Sequence, residues 1–238
     1  KMGILPDYQS LKTFGKPQLG HLLPQDCLLC GCNSPTLICI DCHRELPTLP
    51  QNRCPRCALP SSQGEVCGQC LRDPPSFDAT RAAFRYDFPI DKLIQSFKYG
   101  QRLALAPFFG RLLAKIAHGL SIDLVLPLPL HTGRLKARGF NQALELARPV
   151  AQSLGSSLAP RLCTRIRDTA PQAELPWKAR RQNVRHAFHC AANLGGSHVL
   201  LVDDVMTTGA SLNECARTLK LHGAARVTLL VLARALKE

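Results

Sequence analysis

The stretch V-L-L-V-D-D-V-M-T-T-G-A-S, Val199 to Ser211, runs four apolar residues straight into two adjacent aspartates and then into small hydroxylated residues around one glycine. Such an unbroken apolar run reads as a strand buried on both faces, and T-T-G-A-S reads as the turn into a helix that continues to His222. Two neighbouring carboxylates repel each other and lose hydration on burial. A chain that keeps Asp203 and Asp204 at the end of a buried strand must therefore give them something to hold.

The segments on either side repeat the alternation of strand and helix. Downstream, R-V-T-L-L-V-L-A-R at 226–234 is a second buried strand. Upstream, D-L-V-L-P-L-P-L at 123–130 is a third, followed by the basic loop H-T-G-R-L-K-A-R-G-F-N-Q and a helix carrying Phe140, Leu144, Ala147, Ala151 and Leu154 at helical spacing. A strand is expected over Thr80 to Asp87, a helix from Ile90 to Phe97 closing at Gly100, and another from Leu103 to His118 with Leu105, Phe108, Leu112 and Ile116 on one face. R-L-C-T-R-I at 161–166 reads as a fifth strand and 167–190 as an irregular, basic connection. Repeated strand–helix–strand units predict a doubly wound α/β parallel sheet flanked by helices, with ligands at the carboxyl ends of its strands.

The cysteines mark a second region. Nine of the twelve lie between Cys27 and Cys70, and eight of these form four C-x-x-C knuckles: Cys27 with Cys30, Cys39 with Cys42, Cys54 with Cys57, and Cys67 with Cys70. Four knuckles supply ligands for two tetrahedral zinc ions, because the tight turn brings two sulfurs to one metal and its amides can donate to the thiolates. Consecutive pairing gives two zinc ribbons in a row, and a crossed pairing satisfies the same spacing. A disulfide framework suits small exported domains, and no export signal is read here. With few apolar side chains such as Leu46, Leu49 and Leu59, the segment would take most of its folding energy from metal. Cys32 reads as a spare thiol, and Cys163, Cys190 and Cys215 as buried spectators. Composition shifts near Pro74-Pro75, so the chain divides into an extension at 1–26, a zinc module at 27–75 and a larger domain at 76–238.

The formal charge of +13 favours an acidic partner such as phosphate, nucleotide or nucleic acid. Each zinc with four thiolates brings −2, so two sites leave the chain near +9, still basic. No apolar run reaches the roughly 20 residues of a membrane helix, and the expected location is cytoplasmic.

A strand ending in two acids and followed by T-T-G-A-S resembles the ribose-phosphate site of type I phosphoribosyltransferases. Carboxylates suit two vicinal ribose hydroxyls, and Met206, Thr207, Thr208, Gly209, Ala210 and Ser211 would offer amides and hydroxyls to a 5-phosphate at a helix N-terminus. More narrowly, P-L-P-L-H-T-G-R-L-K-A-R-G-F-N-Q-A-L-E-L-A and T-A-P-Q-A-E-L-P-W-K-A-R-R-Q-N-V-R-H-A-F, with the knuckles, resemble the ComF family of competence-associated, phosphoribosyltransferase-like proteins. The resemblance spans Cys27 to Arg234.

It implies that Asp203 and Asp204 hold the ribose and that His131, Arg134, Arg138 and Lys98 meet pyrophosphate, the guanidinium forks matching phosphate oxygens. His131 reads either as a satisfied loop histidine or as a base near the leaving group. Asn141 and Gln142 either brace the loop or touch ligand. Residues 163–190 correspond to a lid, with Arg165, Thr169, Gln172, Arg180 and Arg181 matching the family pattern. The resemblance implies binding of phosphoribosyl pyrophosphate with magnesium and a role in natural competence or DNA uptake, with single-stranded DNA or the uptake machinery as partners. The alternative is an active phosphoribosyltransferase acting on a base or amine. No segment reads as the hood subdomain such enzymes use for their acceptor, which leaves the zinc module as the candidate cover.

Overall fold

The computed structural model describes residues 25–100, 102–167 and 184–236. Its centre is a five-stranded sheet in the order β3-β9-β8-β4-β5, built from β3 (Ala79–Arg85), β4 (Leu124–Pro127), β5 (Ser157–Leu158), β8 (His198–Met206) and β9 (Arg226–Arg234). Every pairing in it is parallel. The unbroken apolar runs of β8 and β9 follow from this, since central parallel strands are covered on both faces.

Alternate residues of each strand enter different cores. Leu200, Val202, Leu230 and Leu232 pack with α3 (Ile90–Tyr99), α4 (Leu105–Ala117) and α6 (Gln142–Leu154). Val199, Leu201, Leu229 and Val231 pack with α7 (Ala210–Leu221) and with a small antiparallel pair, β6 (Cys163–Arg165) and β7 (Phe188–Cys190).

Three expectations are corrected. The strand read at 161–166 leaves the main sheet and pairs as β6 with β7, while the fifth sheet position is taken by the two residues of β5. The strand read over 123–130 stops at Pro127, because Pro127 and Pro129 have no N–H to offer a neighbour. The stretch read as a basic loop after it contains a helix, α5 (Thr132–Arg138), which starts on the His131 ring and ends at Gly139 in the left-handed region at φ 83°.

The cysteine segment is not a bead beside this domain. It contributes β1 (Gln25–Asp26), β2 (Asn33–Ser34), α1 (Ile40–Arg44) and α2 (Gly68–Arg72), and its two halves straddle the sheet. Ile38 and Leu46 of the first half enter the core beneath α3 and α4, whereas Leu49, Cys54, Ala58 and Cys70 enter the core beside α7. Between them the chain runs along the free side of β3. Thr48 bridges to Phe84, Arg85 N–H donates to Pro47 O at 2.9 Å, Thr80 N–H donates to Pro55 O at 3.0 Å, and the Thr80 hydroxyl donates to Arg56 O.

Candidate functional site

Asp203 and Asp204 sit at the carboxyl end of β8, 9% and 3% exposed. Each accepts a hydrogen bond from the next amide: Asp204 N–H to Asp203 Oδ1 at 2.9 Å, and Val205 N–H to Asp204 Oδ1 at 2.7 Å. What they hold, in the first instance, is Lys98. Its ammonium Nζ lies 2.8 Å from Asp204 Oδ2, brought there by the last turn of α3. Burial works against the Lys98 charge, but the carboxylates of Asp204 and Asp203 outweigh it and raise its pKa. The Asp203 pKa also rises, which here favours the neutral form: burial first, then the charge of Asp204, pushes its carboxyl well above the usual range, with Lys98 opposing.

This asymmetry has a measurable consequence. A raised carboxyl pKa in the folded state means that stability falls as pH climbs from the ordinary aspartate value through the folded one. Asp203→Asn removes that loss. It is expected to raise the melting temperature at neutral pH, by about 2–4 °C for each kcal/mol relieved, and to leave it unchanged in acid, where the carboxyl is protonated in both states. A melting curve measured across pH that shows the same offset at both ends would contradict the assignment.

Beyond β8, Gly209 adopts φ 78° as the N-cap of α7, a backbone state that favours glycine. The Thr208 hydroxyl accepts from Ala210 N–H at 3.1 Å, and Asn213 N–H closes on Gly209 O at 2.8 Å. Met206 to Ser211 thus form a tight turn onto a twelve-residue helix. Such a terminus gathers amide donors and the positive end of the helix dipole.

The cations expected to meet pyrophosphate fall into two sets. Arg134 and Arg138 lie one turn apart on α5, half-buried, with the Arg138 guanidinium 5.2 Å over the Tyr99 ring and its Nη1 donating to Gln142 Oε1 at 2.6 Å. Arg138 thus sits at the end of α3 that carries Lys98, near enough for its charge to oppose the Lys98 charge. His131 acts locally as the cap of α5, its Nδ1 accepting from Gly133 N–H at 3.3 Å. Asn141 braces the segment, donating to Leu128 O at 3.1 Å and accepting from Ala143 N–H at 3.0 Å. Of the expected lid residues, Arg165 is buried on β6 with its guanidinium 5.7 Å from the centre of the Phe188 ring. Thr169, Gln172, Arg180 and Arg181 lie outside the described residues.

The eight knuckle cysteines form two clusters, Cys27, Cys30, Cys39 and Cys42, then Cys54, Cys57, Cys67 and Cys70, each with its sulfurs within 4.8 Å of one another. Pairing is consecutive, not crossed. Amide donors support the thiolates: Cys39 N–H points at Cys27 Sγ and Cys67 N–H at Cys54 Sγ, both at 3.3 Å. Burial opposes ionisation of Cys27, yet the amides of Cys39, Cys30 and Leu29 bring its pKa down to about 6. The same balance brings Cys54 to about 7. These thiolates are ready at neutral pH to bind a soft divalent ion. Cys32 stays outside the first cluster, its pKa pushed up to about 12 chiefly by its hydrogen bond with Cys30. Cys163 and Cys215 lie buried with sulfurs 3.9 Å apart.

Two features were not anticipated. A cavity of about 480 Å³ lies between the second cysteine cluster and α7, with Leu59, Phe77, Thr208, Arg217 and Arg234 in its wall. Arg234, 2% exposed, reaches from the end of β9 to the Met206–Thr207 turn. The signal available for it was a cation closing an otherwise apolar buried strand.

Comparison with known proteins supports both halves of the chain. The family model of the double zinc ribbon domain matches residues 19–71, which include all eight clustered cysteines, and that of the phosphoribosyl transferase domain matches residues 141–238, which include the diacid and the turn after it. The two four-cysteine clusters fit the double zinc ribbon, and the parallel sheet with its helices is of the phosphoribosyltransferase type. The DNA utilization protein YhgH of Salmonella typhimurium is 35% identical over 191 residues, covering 77% of this chain and 84% of that one. Competence protein F of Haemophilus influenzae is 32% identical over 83% of this chain and 90% of its own length. Competence protein ComFC of Bacillus subtilis is 29% identical, over 83% and 84%. No helix among the described residues is long and apolar enough to cross a membrane.

Proposed function

Because the chain belongs to the ComF family, together with YhgH and competence protein F, we propose that it binds phosphoribosyl pyrophosphate with magnesium at the end of β8 and serves natural competence or DNA uptake in the cytoplasm. The observation that carries this reading is the buried Asp203–Asp204 pair, held by Lys98 and followed at once by the Met206–Ser211 turn onto α7. A polyol carrying a phosphate satisfies both parts together: vicinal hydroxyls donate to the two carboxyls, and the amides and hydroxyls of the turn take the phosphate.

In this reading Lys98 neutralises Asp204 until the ribose arrives. Once sugar hydroxyls donate to Asp204, the ammonium is free to turn towards the pyrophosphate arm, joining Arg134, Arg138 and His131. Bound magnesium would offset the charge of that arm. Arg165, Thr169, Gln172, Arg180 and Arg181 are assigned to the cover over the ligand, and the basic surface to single-stranded DNA or the uptake machinery.

One observation favours the alternative, an active transferase. The cavity of about 480 Å³ beside the Thr208–Ala210 turn is walled by the second ribbon, the segment that sequence alone nominates to cover an acceptor. Calorimetric titration of zinc-loaded protein with phosphoribosyl pyrophosphate and magnesium is the direct test. Saturable binding at one ligand per chain is expected, and none would overturn the proposal. In the same mixture with a panel of bases and amines, pyrophosphate release that disappears in the Asp204 variant would move the reading from binding to catalysis.

A further inference from the structure

Arg234 is buried with its Nε and Nη1 donors aimed at backbone oxygens. Nε donates to Cys57 O at 2.8 Å, while Nη1 donates to Met206 O at 2.9 Å, to Ala235 O at 2.7 Å and to Thr207 O. Among the described residues no carboxylate lies within ion-pair distance of it. A buried cation without a counter-charge is costly. What it faces is the second cysteine cluster, since the carbonyl it bonds through Nε belongs to Cys57 itself. Four thiolates around one zinc would carry a net −2, so the loaded metal site as a whole would serve as the arginine's counter-ion.

The peptide bond is planar and trans, so a carbonyl and the following N–H point in opposite directions. Drawing the oxygens of Met206 and Thr207 onto Arg234 turns the amides of Thr207 and Thr208 away from it. Those are two of the amides assigned above to the 5-phosphate. We propose that Arg234 is a positioning residue through which the metal site at Cys54–Cys70 sets the phosphate-binding turn, so that ligand binding at the turn and the state of that metal site are coupled. The inference rests on the phosphoribosyl pyrophosphate reading. By reciprocity, ligand binding must in turn be felt at the metal.

The test uses the full chain with zinc, and then with cobalt(II) in its place, because the visible bands of cobalt in a thiolate site report its surroundings. Arg234→Lys keeps the charge and loses the fork, and Arg234→Met removes both. Saturating phosphoribosyl pyrophosphate is expected to shift the cobalt bands of the unmodified protein. In Arg234→Lys, affinity should fall roughly tenfold, the loss of about one charged hydrogen bond. Two zincs per chain should be retained, and the cobalt bands should stop responding. Unchanged affinity in Arg234→Lys, or cobalt bands in the unmodified protein that ignore the ligand, overturns the coupling. Affinity lost only in step with zinc or melting temperature, in both variants, also overturns it, since that marks a mere scaffold residue. Failure of the unmodified protein to bind is a separate result, against the ligand reading itself, and the coupling falls with it.

Discussion

Stripping zinc with a strong chelator is expected to unfold the entire chain, not only residues 27–75. Structural zinc in small finger peptides contributes apparent binding energies of about 10–16 kcal/mol near neutral pH, against a net stability of about 5–15 kcal/mol for a typical domain. Here the sites are not peripheral, since Ile38 and Leu46 complete one core and Leu49, Cys54 and Ala58 the other. Loss of both ions would release apolar surface from both faces of the sheet and leave four mutually repelling or protonated thiols in place of each metal site. Far-ultraviolet circular dichroism, thermal melting and elemental analysis on the same sample check this. Close to two zincs per chain are expected before chelation, with loss of cooperative melting after it. Purified protein holding almost no metal, or melting unchanged once the metal is gone, would refute the assignment.

At the other site, Asp204→Ala is expected to weaken phosphoribosyl pyrophosphate binding by roughly 10- to 100-fold, the range of a lost hydrogen bond to a charged group. The same change removes the partner of Lys98, whose side chain is only 19% exposed, and an ammonium left unpaired there costs stability of its own. Asp204→Asn separates the effects, because it keeps the volume and one acceptor while removing the charge. Both variants should bind weakly, with the melting temperature of the asparagine form nearer that of the unmodified protein. Equal affinity in all three, measured by calorimetry in the presence of magnesium, would eliminate Asp204 as a ribose contact.

The features legible in the sequence were those whose cause is local. The Val199–Val202 run had to be a strand covered on both sides, Gly209 had to end a turn, and four knuckles with short spacers had to gather sulfurs. Short elements were misread because their local pattern is ambiguous. Cys163 to Arg165 forms a strand as expected, but a three-residue strand carries no information about which sheet it joins. Residues 132–138 look like a loop until His131 and Gly139 cap them at either end. Pairings between distant residues were out of reach altogether. That Lys98 would close on Asp204, or that Arg234 would contact Cys57, 177 positions earlier, depends on the folded topology and leaves no periodic trace.

The course of residues 47–56 along β3 bears on self-association. β3 is an outer strand seven residues long, and the bonds its amides give to Pro47 and Pro55 occupy part of the ladder it would otherwise present to solvent, with the Thr80 hydroxyl adding a bond to Arg56. An uncovered outer strand is a template on which another molecule can add its own strand, the first step of edge-to-edge polymerisation. Both oxygens that take these amides belong to prolines, which accept hydrogen bonds but have no N–H to extend the ladder outward. The cysteine segment therefore doubles as a terminator of the sheet, and a molecule deprived of zinc would lose its fold and its protection from its neighbours in the same event.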